Sequence, residues 1–284
     1  MSIFEEISKK FYLPHAWNDW KEYRDGLTDL VIGCGEKTGS KNVSIIGAGR
    51  CNDLDLIRLT EHFDKIVLFD NDAVSMEEAL SSYGDKNGCR NRVETCVSSL
   101  TGLGREELES FFEKVMMRTR VLGHAFTFDK LETILLDEME TMKLVIMGQK
   151  EKMSLVLHEA DIIVCNGVLS QLLSMVSFFI RSVIASIPGS YGSDGGALVS
   201  KTEKKLHEIN DEMIPDIVLN IVNASKKAAV FGNEYSGSQP VEGAFQGIES
   251  IKRSGWKKEE LRRVWDFNRA QGIRYEMLIQ TIYK

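Results

Sequence analysis

The sequence predicts an α/β protein with a doubly wound, mostly parallel sheet of seven strands, of which the last strand is antiparallel. From Asn42 onward, short β-branched and apolar runs alternate with helical stretches, as expected of a parallel sheet buried on both faces. The chain then closes with two strand-like runs separated by a short turn, which indicates a hairpin. At 284 residues and 43% hydrophobic content, the chain can bury a sizeable core.

Five strands are predicted in the parallel part of the sheet. They are VSII (Val43 to Ile46), KIVLF (Lys65 to Phe69), RVETCV (Arg92 to Val97), DIIVC (Asp161 to Cys165) and KAAVF (Lys227 to Phe231). The amphipathic stretches DLDLIRLTEHF and AVSMEEALSSYG are predicted to be the first two connecting helices. The final hairpin pairs RVWDF with IRYEMLIQTIYK, and the run KKEELRRVW that leads into it is predicted to be a basic helix.

Two helical regions lie outside this alternation. Residues 1–40 carry apolar residues at three- and four-residue steps and are predicted to form an N-terminal helical cap. Residues 41–284 then form one domain, with a helical insertion at about 104–158 that is too long for an ordinary crossover. The glycine-rich stretch 186–200 is predicted to be a mobile flap, and cap, insertion and flap are expected to enclose one end of the sheet.

Composition limits the partners of the chain. A net charge of -7 gives no general attraction to nucleic acid or to anionic lipid, so nucleic acid is an unexpected partner. The five cysteines form no C-x-x-C pair, and neither a disulfide framework nor a metal site is predicted. No secretory signal is recognised, and the longest apolar stretch, 172–187, is too polar to span a bilayer. We expect a cytoplasmic protein without a membrane partner, and the sequence predicts no oligomeric state.

The first strand runs into Gly47, Ala48 and Gly49, and a carboxylate, Asp70, closes the second strand 21 residues after Gly49. Glycines let a ligand approach the backbone at this turn, and a carboxylate in that place can accept both hydrogen bonds from a ribose. The alternative role for Asp70 is to cap the following helix. Asn71 and Asp72 offer that cap instead, so a nucleoside site is favoured.

A dinucleotide is disfavoured by the residue that follows this turn. The G-x-G-x-x-G motif needs a third glycine for close packing beside a pyrophosphate, and Asn52 stands there instead. Asn52 and Asp53 are expected at the start of the next helix, where an acidic group repels a pyrophosphate but can bind an amine. NAD is therefore not the expected cofactor.

Four stretches resemble the S-adenosylmethionine-dependent methyltransferases of the Rossmann-like class (class I). IIGAGRCNDLDL is similar to their glycine motif, VLFDND to their acidic ribose motif, VETCVSSLTGL to the stretch that edges the adenine, and ADIIVCNGVLSQLL to their fourth strand and following helix. The closing hairpin also resembles the reversed last strand of that family. The resemblance covers roughly residues 40–284, without the insertion.

The resemblance implies S-adenosylmethionine as the cofactor. Gly47, Ala48 and Gly49 are then expected along its methionine part, Asp70 on the ribose, and Asn71 beside the adenine.

Four further residues are assigned to the cofactor by the same resemblance. Ser98 and Ser99 stand where the family often has an acidic residue facing the adenine amine, so a serine oxygen or a backbone group would replace that contact. Asn166 and Gly167 follow the fourth strand and are expected near the sulfonium and the acceptor.

The expected activity is in-line methyl transfer to a small-molecule or peptide-like acceptor. Because the sulfonium is already activated, such transfer needs mainly alignment and desolvation. The sequence assigns no catalytic residue. Glu234 and Tyr235, expected beyond the fifth strand, are candidates for contact with the acceptor, and Trp17, Trp20 and Tyr23 either cover the cofactor or only pack.

Three alternatives remain open from the residues alone. The run D-N-D-A-V from Asp70 fits the pattern of haloacid dehalogenase-like phosphatases, in which two aspartates act beside Mg²⁺. A protein of the same fold can also bind the cofactor or serve as a scaffold without catalysis. The basic run with Lys257, Lys258, Arg262 and Arg263 is either a phosphate contact or, more commonly, a solvated face.

Overall fold

The computed structural model describes residues 2–83, 89–149, 159–187 and 192–284. Its strands are β1 (Asn42–Ile46), β2 (Lys65–Asp70), β3 (Val93–Val97), β4 (Ala160–Asn166), β5 (Ser225–Ser236), β6 (Gln239–Pro240), β7 (Lys258–Asn268) and β8 (Ile273–Tyr283). Its helices are α1 (Ile3–Phe11), α2 (Ala16–Asp19), α3 (Lys21–Thr38), α4 (Leu56–His62), α5 (Ala73–Tyr83), α6 (Cys89–Arg92), α7 (Arg105–Leu122), α8 (Phe128–Gly148), α9 (Ser174–Ala185), α10 (Ser193–Ala224) and α11 (Ala244–Ser254).

Seven strands form the sheet in the order β3-β2-β1-β4-β5-β8-β7, and the two-residue β6 pairs with β5. Strands β1 to β5 run parallel, whereas β8 is antiparallel to both of its neighbours, β5 and β7. The strand order reverses between β1 and β4, which is where ligands bind in open sheets of this kind. The predicted fold class is confirmed, including the antiparallel last strand.

Helices cover both faces of the sheet. On one face, α3, α4 and α5 pack over the central strands through buried residues such as Leu27, Leu59 and Met76. On the other face, α7 to α10 form a larger apolar cluster to which Phe112 and Leu135 belong. The core is therefore divided by the sheet, with α3 from the predicted cap on one side and α7 and α8 from the predicted insertion on the other.

The alternation of side chains along parallel strands brings one set of polar residues together. Asp70, Asn166 and Glu234 continue the series of side chains that point toward α3, because each lies an even number of residues beyond Leu68, Val164 or Val230. All three stand at or near the carboxyl ends of their strands, so they share one edge of the sheet.

Four boundaries differ from those expected. The run KKEELRRVW is not a helix, since Lys258 to Trp265 belong to β7, and β5 is longer than the predicted KAAVF. Helix α4 begins at Leu56 rather than at Asp53. The predicted flap is helical from Ser193, where α10 begins, while residues 188–191 lie outside the described residues.

In the part of the chain that the structure describes, no helix has both the length and the apolar character needed to cross a bilayer.

Candidate functional site

The turn after β1 needs glycine at Gly47. Its φ is 66°, in the left-handed region, and a Cβ built there would stand 2.4 Å from Cγ2 of Val168, which follows β4. The amide of Gly47 donates to the carbonyl of Phe69, 2.8 Å away, so the turn is also fixed to the end of β2. Gly47 therefore lets β1 and the segment after β4 approach closely.

Gly49 has a different role in the same turn. Its φ is 47°, yet a Cβ built there meets nothing within 4 Å, so this backbone faces open space. Cys51 follows with a φ of 51°, which is uncommon for a residue with a side chain. Unusual backbone conformations of this kind concentrate where the backbone approaches a ligand. The turn therefore combines left-handed backbone at Gly47, Gly49 and Cys51 with open space beside Gly49.

Asp70 is held at the end of β2 by backbone amides. Gly49 donates to Oδ2 of the carboxylate over 2.9 Å, and Asp72 donates to Oδ1 over 2.8 Å. Burial raises the pKa of Asp70, and these amide hydrogen bonds oppose the increase. Each carboxylate oxygen has a second lone pair, so the fixed group can still accept hydrogen bonds from two hydroxyls.

Asp72 caps α5 and so leaves Asp70 available, as the sequence predicts. Its Oδ1 accepts from the amides of Val74 and Ser75, at 3.0 and 3.1 Å, and its Oδ2 accepts from the hydroxyl of Ser75 at 2.6 Å. A phosphatase of the D-x-D type needs that second aspartate as a free acid or base. These hydrogen bonds argue against a phosphatase.

Three other residues assigned to the nucleoside surround this edge. Asn71 is exposed directly after β2, and the amide of Ser98 donates to the carbonyl of Asp70 over 2.9 Å. The hydroxyl of Ser99 accepts from the amide of Thr101 at 3.2 Å and lies 3.2 Å from the Leu103 carbonyl, so it stabilises its own loop. The structure thus places the β3 loop against Asp70 through its backbone.

The sequence predicts that the helix after the glycine turn begins at Asn52 and Asp53, but the structure shows that this segment precedes α4. Asp55 is the N-cap of α4, because its carboxylate accepts from the amides of Ile57 and Arg58 at 3.0 and 3.3 Å. Asn52 and Asp53 precede this cap in a turn. Asp53 is consequently free to reach across to β4.

Asn166, the last residue of β4, lies at the centre of a buried hydrogen-bond chain. The hydroxyl of Tyr23 donates to its Oδ1 over 2.6 Å, and its Nδ2 donates to the Asp53 carboxylate over 2.7 Å. Burial raises the pKa of Asp53, which the bond from Asn166 opposes. The pKa of Tyr23 is raised well above normal, first by burial and then by the charges of Asp53 and Glu234. The network joins α3, the segment after the glycine turn and β4.

An aromatic cluster closes this network on the side of β7. The ring of Tyr23 stacks on Trp265 with centroids 4.9 Å apart, and Trp20 meets the same indole edge-on at 4.8 Å. The indole nitrogen of Trp20 donates to the carbonyl of Phe267 over 2.9 Å. Sequence reasoning missed Trp265, although the alternation in RVWDF places it on the inner face with Phe267.

Glu234 is a buried residue within β5 and does not lie beyond the fifth strand, where the sequence predicts it. It lies within β5, is 4% exposed, and accepts a hydrogen bond on Oε1 from the hydroxyl of Ser170 at 2.7 Å. Its Oε2 is buried without a hydrogen-bond partner among the described residues. Burial raises the pKa of Glu234, and the bond from Ser170 opposes the increase.

Two residues of α3 hold the segment Asn52 to Asp55 in place through hydrogen bonds to its backbone. The Arg24 guanidinium donates to the carbonyl of Asn52 at 3.1 Å and to that of Trp17 at 2.7 Å. The hydroxyl of Thr28 accepts from the amide of Asp55 at 3.0 Å. Nothing in the local sequence indicates the contacts of Arg24 with Asn52 and of Thr28 with Asp55, which join residues 28 and 27 positions apart in the chain.

Other candidates do not converge on this edge. Trp17 lies under the Arg24 guanidinium, with 3.5 Å from Cζ to the ring centroid, and Tyr235 lies beneath Arg262 at 4.9 Å. The two histidines of the predicted insertion have no assigned role, since His158 lies outside the described residues and the side chain of His124 is not described. A cavity of about 260 Å³ between α7 and α8 is lined by none of the residues assigned to the cofactor.

Neither a protein-family model nor a curated protein matches the chain significantly in sequence. Among solved structures it is similar to magnesium protoporphyrin IX methyltransferase from Synechocystis with bound S-adenosylmethionine, with a TM-score of 0.47 and 9% identity over 96% of this chain and 86% of that chain. It is also similar to the N-methyltransferase NodS from Bradyrhizobium japonicum in complex with S-adenosyl-L-homocysteine, with a TM-score of 0.47 and 11% identity over 99% and 97% of the two chains.

A putative O-methyltransferase from Klebsiella pneumoniae gives a TM-score of 0.44 and 10% identity over 99% of this chain and 94% of that chain. Identities this low and TM-scores below 0.5 do not carry function from one protein to another. The function of this chain has to be argued from its own strand order and site.

Proposed function

We propose that the protein is an S-adenosylmethionine-dependent methyltransferase that acts on a small-molecule or peptide-like acceptor. The observation that carries the proposal is the junction of β1 and β2, where the Gly49 amide donates to Asp70 beside a glycine turn that faces open space. This junction lies at the edge of the sheet where the strand order reverses. The absence of a third glycine favours a mononucleoside over a dinucleotide.

The residues present fit this cofactor. Asp70 offers the free lone pairs that a ribose needs, and Gly49 leaves the space that a side chain would fill. We assign the methionine part to Gly47, Ala48 and Gly49, and we assign the ribose to Asp70.

The adenine is assigned to the edge formed by Asn71, Ser98 and Ser99. Asn166 and Gly167 are assigned to the reacting end, at the carboxyl end of β4. When bound, the cofactor supplies an activated methyl group, and the protein aligns the acceptor and excludes water.

The division of the chain into a cap at residues 1–40 and a domain at residues 41–284 stays a prediction. The cytoplasmic location of the protein stays a prediction as well.

Calorimetry with S-adenosylmethionine, S-adenosylhomocysteine and NAD tests this proposal. We expect the first two to bind and NAD not to bind. Asp70→Ala should reduce the affinity for S-adenosylhomocysteine by about 10- to 100-fold, since hydrogen bonds to a charged group contribute about 1.5–3 kcal/mol. Asp72→Ala is the matched control, because it removes the cap of α5 and should leave the affinity within about threefold. Binding of NAD alone would contradict the proposal.

Transfer of the methyl group distinguishes an enzyme from a protein that only binds the cofactor. The protein is incubated with methyl-labelled S-adenosylmethionine and an extract of small molecules and peptides. Label that appears in an acceptor, and that is lost with Asp70→Ala, supports catalysis. Tight binding of the cofactor with no label in any acceptor would favour the non-catalytic alternative.

A further inference from the structure

We propose that Glu234 and Trp265 bind the nucleophilic nitrogen of an amine acceptor beside Gly167. The proposal rests on the methyltransferase function above and names its substrate class. It starts from a buried carboxylate, Glu234, that the cofactor assignment does not use.

Glu234 stands at the acceptor side of the reacting end. A Cβ built on Gly167 would lie 3.3 Å from Oε1 of Glu234 and 3.1 Å from Cζ3 of Trp265. The carboxylate and the indole therefore line the backbone that directly follows β4. Gly167 has a φ of 65°, and its lack of a side chain lets Glu234 and Trp265 pack directly against its backbone.

The Glu234 carboxylate has no counterion among the residues that the structure describes. Among the described residues Glu234 forms no ion pair, and the Ser170 hydroxyl bonds only Oε1, so Oε2 is buried without a partner. A buried charge without a partner is costly, so the ionised carboxylate calls for a donor or a cation at Oε2. A ligand with a positive charge and N–H donors satisfies the group.

The aromatic rings favour the same ligand. Trp265 is 3% exposed and Tyr23 stacks on it, so the carboxylate borders a rigid aromatic wall. The indole turns its edge atoms Cζ3 and Cη2 toward Gly167 and helps to exclude water, which strengthens the attraction between the carboxylate and an ammonium group. The Asp53 carboxylate lies on the far side of Asn166 and accepts a hydrogen bond from its Nδ2 at 2.7 Å. An acid or a phosphate would meet the Glu234 carboxylate without a described cation paired to it.

The chemistry balances with this pair of groups. The acceptor binds as an ammonium and transfers one proton to the Glu234 carboxylate, which frees the nitrogen lone pair. The nitrogen then forms a bond to the methyl carbon as the carbon–sulfur bond breaks, and that electron pair stays on sulfur. The product is an N-methylammonium, and Glu234 returns its proton to solvent. Burial raises the pKa of Glu234, which makes its carboxylate a better proton acceptor.

Sinefungin is the probe, because it carries an amine in place of the methylsulfonium of the cofactor, whereas S-adenosylhomocysteine carries a neutral sulfur. Calorimetry compares the two on the parent, on Glu234→Gln and on Glu94→Gln, a control at an exposed glutamate of β3 that pairs with Lys65. We expect the parent to prefer sinefungin by at least about tenfold. Glu234→Gln should reduce this preference to about twofold with unchanged affinity for S-adenosylhomocysteine, and Glu94→Gln should retain it.

The remaining outcomes separate this inference from the proposed function. A parent that binds neither compound overturns the proposed function and this inference with it. Equal affinity of the parent for the two compounds, or an undiminished preference in Glu234→Gln, overturns the amine site alone. If a folded Glu234→Gln variant binds neither sinefungin nor S-adenosylhomocysteine, Glu234 binds the amino acid part of the cofactor. That result also overturns the amine site. If the variant does not fold, the ratio of affinities in the parent decides.

Discussion

The two halves of the carboxyl edge of the sheet are built in different ways. On the side of β1 and β2, the site consists of backbone and one carboxylate, with Gly49 facing open space and Asp70 held by two amides. On the side of β4 and β5, it consists of packed side chains that include Asn166, Glu234 and Trp265, all less than 9% exposed. The first half resembles a docking surface for a ligand, and the second resembles a polar core.

This difference predicts a separation of effects. Asp70→Ala and Gly49→Ala, in the first half, should reduce cofactor affinity more than stability, whereas Gly47→Ala, whose new side chain would meet Val168, should also lower the free energy of unfolding. Trp265→Ala and Tyr23→Phe, in the second half, should first reduce the free energy of unfolding, because these side chains pack on or hydrogen-bond to buried neighbours. The following predictions test that separation, from the largest expected effect to the smallest.

Trp265→Ala is expected to have the largest effect. The indole is 3% exposed and contacts the rings of Trp20, Tyr23 and Phe267 with centroids 4.8–5.1 Å apart. Removing a buried aromatic of this size lowers the free energy of unfolding by about 3–5 kcal/mol. Urea denaturation measures the loss, and Trp256→Ala, at a partly buried tryptophan, should cost clearly less. Equal losses would contradict the packed character of this half.

The two glycines of the β1 turn provide a sharper comparison. Gly47→Ala combines a left-handed φ with a contact of 2.4 Å and should lower the free energy of unfolding by about 2–4 kcal/mol. Gly49→Ala has the strained φ without the contact and should lower the free energy of unfolding by only about 1–2 kcal/mol. It should nevertheless reduce the affinity for S-adenosylhomocysteine as much as Gly47→Ala does. Urea denaturation and calorimetry on both variants give the answer. A Gly49→Ala protein with parental affinity would mean that no ligand lies in that space.

Tyr23→Phe removes one hydroxyl from the buried chain. Oδ1 of Asn166 then loses its donor at 2.6 Å, and an unsatisfied buried acceptor costs about 1–3 kcal/mol. Thermal and urea denaturation should both show the loss. Tyr12→Phe is the control, since Tyr12 is 50% exposed, and it should change stability by less than about 0.5 kcal/mol.

The pH dependence of stability gives the smallest expected effect. The pKa of Glu234 is raised in the folded state, so the folded protein keeps a proton that the unfolded chain releases from about pH 4.5 upward. The contribution of this proton to the free energy of unfolding is fully present below that pH. It is lost as the pH rises through the pKa of Glu234 in the folded protein. Glu234→Gln cannot ionise and should gain stability relative to the parent over this window, by on the order of 1 kcal/mol. Melting curves between pH 4 and 8 measure the difference, and a difference independent of pH would contradict the assignment.

The first half of the edge is predictable from sequence, and the second is not. Gly47, Gly49 and Asp70 are separated by a fixed spacing that one strand–helix–strand unit imposes, so local pattern suffices. Tyr23 and Asn166 meet across 143 positions, and no local pattern records that contact. For Glu234 the sequence indicates only a place near a strand end, because the length of β5 depends on its pairing with β8.

The wrong prediction of a helix at β7 has the same origin. In KKEELRRVW, acidic residues precede basic ones by three to four positions, a spacing that also supports a helix. The eleven residues of β8 provide a longer pairing partner, and contacts across the strands such as Gln280 to Glu260, at 2.9 Å, replace helical ones. Tertiary pairing outweighs local propensity at this edge. The basic residues of the run then alternate between the two faces of a strand and do not form one helical face.

A crystal structure of the protein with S-adenosylhomocysteine tests the central claim most directly. The account predicts that both ribose hydroxyls lie within about 3 Å of the Asp70 carboxylate and that the homocysteine part follows the main chain from Gly47 to Gly49. A ligand bound elsewhere, or a crevice that stays closed by side chains at saturating ligand, would contradict it.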